Sequence, residues 1–111
     1  MEWYHDLYMG DSIKDQSEKI KRKILHRAGQ IQIYVISLAS NPSNLLDIIP
    51  ARELLQKYYA KRQIYIIGLA KGREEACRLA CSIVTEIYEE TGAFFVRDYI
   101  MAQEAESRGR E

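Results

Sequence analysis

The stretch QIYVISLASN at residues 32–41 returns 31 positions later as QIYIIGLAKG at residues 63–72. Six pairs are identical at that offset: Gln32/Gln63, Ile33/Ile64, Tyr34/Tyr65, Ile36/Ile67, Leu38/Leu69 and Ala39/Ala70. Both runs are continuously apolar and rich in β-branched and aromatic side chains, the pattern of a strand buried on two faces. Each ends in turn residues, SNPSN after the first and KG after the second. A chain of this kind must cover both faces of a sheet, which restricts it to few architectures.

The segment after each run reads as helix. Ala76, Leu79, Ala80, Ile83, Val84 and Ile87 recur at helical spacing between Arg73 and Glu90. Glu74 and Glu75 suit the positive end of that helix, and Gly92 suits its stop. After the first run, Asn41 suits a cap and Pro42 a first helical position. Apolar positions 45, 46, 48 and 49 match 76, 77, 79 and 80, so the repeat extends into a helical turn. Pro50 breaks it, because a proline inside a helix loses a hydrogen bond and clashes one turn back. A fresh helix is predicted from Pro50 to Ala60, with Ala51, Leu54, Leu55, Tyr58 and Tyr59 as its apolar face. Another is predicted over Ser12–Ala28, with Asp11 or Ser12 as cap, an Ile13, Ile20, Ile24 and Ala28 stripe, and Gly29 as its end.

The resulting fold class is α/β, a three-layer α-β-α-β-α arrangement with a small parallel sheet built from two repeated βα units. Residues 1–101 form a single domain and 102–111 a polar C-terminal tail. Two strands alone are marginal and leave apolar edges unpaired. Residues 2–9, residues 93–97 or a second copy of the chain are the candidates to complete the sheet; a homodimer is the expectation.

Composition narrows the function classes. Sixteen Lys and Arg balance sixteen Asp and Glu over 111 residues, so no global field draws the chain to nucleic acid or membrane. The apolar stretches are too short to span a bilayer. The start, MEWYHDLYMG, lacks a basic segment followed by an apolar one, which points to no leader and a cytoplasmic location. Trp3, Tyr4, Leu7 and Tyr8 have near-helical spacing, suiting an arm packed over the core. Cys77 and Cys81, four apart, sit ~5–6 Å apart on a helix, too far for a disulfide, and read as small core residues. No metal site and no cofactor motif is present: neither turn carries GxGxxG or a Walker pattern. No catalytic constellation is found, and Asp47 reads as a residue of a first helical turn.

Two groups remain as candidate binding residues. Ligands of open α/β sheets bind beyond the carboxyl ends of the strands. There the two units would bring Ser40 and Asn41 beside Lys71, Gly72 and Arg73, polar groups next to cations and a bare backbone, suited to a phosphorylated small molecule. The second group is KIKRKILHR, residues 19–27, which offers Lys19, Lys21, Arg22, Lys23 and Arg27 to nucleic-acid phosphates. The zero net charge argues against that use, and a basic helix end is also what the helix dipole favours.

The segments LYMGDS, QIYVISLASNPSNLLDII, IYIIGLAKGREEA and TGAFFVRDYI resemble a family of small uncharacterised proteins from anaerobic Gram-positive bacteria, along nearly the whole chain except the tail. The resemblance implies a bacterial, cytoplasmic, stand-alone protein and supplies no catalytic residue. The expectation is therefore a homodimeric, non-enzymatic binding or protein-interaction module. The alternatives are a small-anion or nucleotide-binding protein and, more remotely, a nucleic-acid accessory protein.

Overall fold

The computed structural model describes residues 1–26, 32–41, 43–56 and 63–109. They form a mixed α/β fold with one open sheet of four strands, β1 (Glu2–Met9), β2 (Ile33–Leu38), β3 (Leu46–Pro50) and β4 (Tyr65–Lys71), in the spatial order β1-β4-β2-β3. Three α-helices accompany it among the described residues: α1 (Ser17–Leu25), α2 (Arg73–Thr91) and α3 (Val96–Gly109). Short 3-10 turns stand at Asp11–Ile13 and Ala51–Leu55.

The two repeated runs are adjacent strands, but antiparallel ones. Ile33 lies opposite Lys71 and Ser37 opposite Ile66. The parallel βα repeat expected from the sequence is thus overturned, and the parallel pair is β1 with β4. The reason lies after the first run. Residues 46–50 are not a helical turn but strand β3, which folds back on β2 with Leu38 opposite Leu46 and Tyr34 opposite Pro50. Asn41 Oδ1 accepts from the Ser43 N–H (3.0 Å) and hydroxyl (2.8 Å), which sets the reversal. Ile48 and Ile49 are β-branched, and a residue before proline is pushed out of the helical region. Pro50, expected to break a helix, is itself the last residue of β3. The helix predicted from Pro50 is a 3-10 turn over Ala51–Leu55; Tyr58, Tyr59 and Ala60 lie outside the described residues.

Residues 2–9 supply the added strand, whereas residues 96 and 97 open α3. The helix expected over Ser12–Ala28 is divided, because Gln16 (φ −114°, ψ 14°) leaves the helical region between the Asp11–Ile13 turn and α1. Ala28 and Gly29 lie outside the described residues. Helix α2 runs as its periodicity predicts, with Ala76, Ile83 and Ile87 buried, and Gly92 ends it at φ 74° with its N–H on the Tyr88 carbonyl (2.7 Å). Cys77 and Cys81 are exposed free thiols rather than core residues. They fall on the turns of α2 facing away from Ala76, Ile83 and Ile87. The segment read as a polar tail continues as helix to Gly109, and its Glu104 is buried.

Side chains alternate across the sheet into two apolar clusters. One gathers Ile33, Val35, Ile49, Ile66 and Leu69 with Ile20 and Ile24 of α1 and Leu54. The other gathers Tyr4, Ile36, Leu38 and Ile67 with Ile83 and Ile87 of α2 and Val96 and Ile100 of α3. Both edge strands are managed. Strand β3 is short and ends in Pro50, and β1 is distorted: four residues between Trp3 and Tyr8 oppose Ile67 alone.

Candidate functional site

The antiparallel register decides which polar groups meet. Ser40 and Asn41 lie beyond the end of β2, while Lys71 pairs with Ile33 at its beginning. Ser40 and Asn41 therefore sit at the opposite end of the sheet from Lys71, Gly72 and Arg73, and the shared crevice expected between them does not exist. At the Lys71 end, Gly72 (φ 83°) gives its N–H to the Gln32 carbonyl (2.6 Å). Glu75 accepts from the Lys71 N–H (2.8 Å), the Ser12 N–H (2.8 Å) and the Ser12 hydroxyl (2.7 Å). That end is knitted together by an acid, not left open for an anion.

The other end of the sheet is open. A cavity of about 340 Å³ lies there, lined by Ser37, Ser40, Asp47, Gln63, Tyr65 and Arg97 among others. It forms where β2 ends, β3 begins and β4 begins, with the first turn of α3 as a further wall. One irregularity contributes: between Ile36 and Ser37 the β2–β4 register shifts. Arg97 enters from α3 and donates from Nη2 to the carbonyl of Ala39 (2.8 Å), the first residue past β2. That bond fixes the guanidinium at the rim, and no carboxylate lies within ion-pair distance of it among the described residues. Four further N–H donors remain, in a fixed planar fork. Asp47, half-buried, holds the turn by accepting from the Ser40 N–H (3.2 Å) and hydroxyl (3.3 Å). It is a strand residue rather than one of a helical turn. The Tyr65 hydroxyl is buried and faces the Glu104 carboxylate. Burial first, and the Glu104 charge second, push its ionisation up from the ordinary range.

Behind Tyr65 stands a second polar group. Glu104 accepts from the His5 backbone N–H (3.3 Å) and is hydrogen-bonded to His5 Nδ1. Arg108 Nη2 lies 3.7 Å from its other oxygen. The pair ties the distorted part of β1 to α3.

The basic run lies on and after α1, with Lys19, Arg22 and Lys23 exposed and Arg27 outside the described residues. Lys21 Nζ stands 5.3 Å from the Trp3 ring centre, a cation–π contact that gives this lysine a structural partner. Among the described residues no cluster of His, Cys, Asp or Glu could hold a metal ion, and no helix is long and apolar enough to cross a membrane.

Of the binding residues expected from the sequence, only Ser40 reaches the open cavity. Arg97, Tyr65 and Gln63 are not among them. Arg97 carries a faint signal, a lone cation inside the apolar run AFFVRDYIM. Tyr65 and Gln63 look like ordinary members of the repeat. Comparison with protein-family models, with curated proteins and with solved structures finds no match for the chain.

Proposed function

We propose that the chain is a small, non-enzymatic binding module whose site is the cavity at the end of β2. The observation that carries this reading is Arg97, pinned at the rim by one backbone carbonyl and, among the described residues, without an acidic partner. A guanidinium with free donors beside a cavity of ligand size suits an anionic group, most often a carboxylate or phosphate. Asp47 and Gln63 line the same cavity and offer acceptors to hydrogen-bond donors of the occupant. The fold behind it reads as three-layered, with α1 against one face of the sheet and α2 and α3 against the other.

Binding is preferred to catalysis because the carboxylate in the cavity, Asp47, already serves the Ser40 turn, and no histidine lines the walls among the described residues. Calorimetric and thermal-shift titrations with inorganic phosphate, acetate and glycine test the reading. One of these anions should bind, and Arg97→Ala should abolish that binding while the unliganded melting temperature changes little, since Arg97 is exposed. At 100 times its dissociation constant a bound anion raises stability by about 2.7 kcal/mol. No binding by any of the three, or binding that Arg97→Ala leaves intact, rejects the cavity as the site.

A further inference from the structure

Arg97 and Ala39, joined by the hydrogen bond at 2.8 Å, line a second cavity as well as the first. The second, of about 240 Å³, differs in character, with Leu45, Phe94, Phe95 and Val96 in its walls beside Asn41 and Asn44. Three of these side chains are large, apolar and in water: Phe95 is 72% exposed, Phe94 51% and Leu45 44%. Phe94 is held by stacking on Tyr88, with ring centres 4.7 Å apart and planes 16° apart. Single exposed apolar residues are ordinary, but several gathered around a groove mark a contact surface. The groove begins at Arg97, the guanidinium of the proposed site.

Resting on the proposed function, we infer that the occupant is an amphipathic anion, a carboxylate or similar group carrying an aromatic or extended alkyl body. The anionic group sits on the Arg97 fork at the junction of the two cavities. The polar portion reaches toward Gln63 and Asp47, and the apolar body crosses to Leu45, Phe94 and Phe95. Charge complementarity selects this occupant over a neutral one, because an apolar body alone would leave the guanidinium donors unmatched. An acidic body would in turn meet Asp98, which lines the second cavity. Phe95, anchored by its backbone at the start of α3 and exposed, is free to close over a ring.

The test compares acetate with 4-phenylbutyrate by calorimetry and by amide chemical-shift changes on the wild type, Arg97→Ala and Phe95→Ser. The expected result is binding of 4-phenylbutyrate at least about tenfold tighter than acetate, roughly the effect of 1.4 kcal/mol. Shifts should appear at both Arg97 and Phe95. Arg97→Ala should abolish binding of both probes, and Phe95→Ser should bring 4-phenylbutyrate down to the affinity of acetate. Equal affinity for the two probes, with binding still dependent on Arg97, overturns the inference and leaves the proposed function standing. Loss of all Arg97-dependent binding overturns both. Concentration-dependent dimerisation that Phe95→Ser abolishes overturns the inference by assigning the patch to a second copy of the chain.

Discussion

One carboxylate oxygen, Glu104 Oε2, accepts from both the backbone N–H and the side chain of His5, 99 residues away in sequence. It does so where β1 departs from regular pairing with β4, so the acid satisfies backbone that the sheet does not. Glu104 is 8% exposed, and hydrogen bonds to charged groups contribute ~1.5–3 kcal/mol. Glu104→Ala should therefore lower the unfolding free energy by about 2–3 kcal/mol in denaturant titrations. His5→Ala should cost only about 1 kcal/mol, since its N–H remains to bond Glu104. Equal costs for the two would mean that the ring, not the backbone, carries the contact.

Glu75 links the opposite end of the molecule, joining α2 to the segment after β1 through Ser12 and to Lys71. Gly10 leaves room for it: a Cβ there would stand 2.5 Å from the Glu75 carboxyl. Gly10→Ala should displace that carboxyl and cost about 1 kcal/mol in denaturant titrations through weakened hydrogen bonds.

The same carboxylate predicts acid sensitivity. Slight burial opposes its charge, but the bonds from Ser12 and Lys71 outweigh it and hold the carboxyl below its ordinary 4.5. A depressed folded value stabilises the fold above the unfolded value, and that stability is lost as pH falls from 4.5 through the folded one. Melting temperatures from pH about 6 to 3 should drop, and Glu75→Gln should flatten the decline.

Alkaline behaviour has the opposite sign. Burial above all, then the charges of Asp6 and Glu104, push Tyr4 up to about 12. Tyr8 is pushed up by burial and its bond to Glu86, and Tyr99 by its bond to Glu90 and then burial. These groups resist losing a proton in the fold, so their contribution is complete below the ordinary 10.0 and is lost as pH rises toward 12. Tyrosinate absorbance should rise late in the folded protein, and stability should fall above pH about 10. Ordinary titration of all eight tyrosines would contradict this.

The repeat itself predicts matched costs. Ile36 and Ile67 are both 0% exposed in the cluster under α2 and α3. Truncation of either to Ala should cost ~2–5 kcal/mol. Their strands run in opposite directions, so nuclear Overhauser contacts should join Ile33 to Lys71 and Ser37 to Ile66. Contacts pairing Ile33 with residues near Ile64 instead would restore the parallel arrangement.

Element type is legible in the sequence where the pattern is long or the residues β-branched. The apolar positions of α2 recur from Ala76 to Ile87, about three turns, and the repeated runs admit little but buried strand. A local pattern of that kind fixes which face is apolar, because side-chain direction follows from backbone period alone. Residues 46–50 mislead because a short apolar stretch fits either period, and likeness to the second copy outweighs the Ile48-Ile49-Pro50 signal for extended backbone. Glu104 and His5 give no signal, since nothing local brings together residues 99 positions apart. The chain's own order of residues thus determined two buried strands, a long amphipathic helix and the turns between them. Strand direction was decided only by tertiary pairing, with β3 and β4 both running against β2, and the site followed from it. In a parallel sheet Ser40 and Lys71 would share an end; in the antiparallel one Ser40 meets Gln63, Tyr65 and an arginine from a distant helix, because reversing a strand exchanges which of its termini faces a given neighbour.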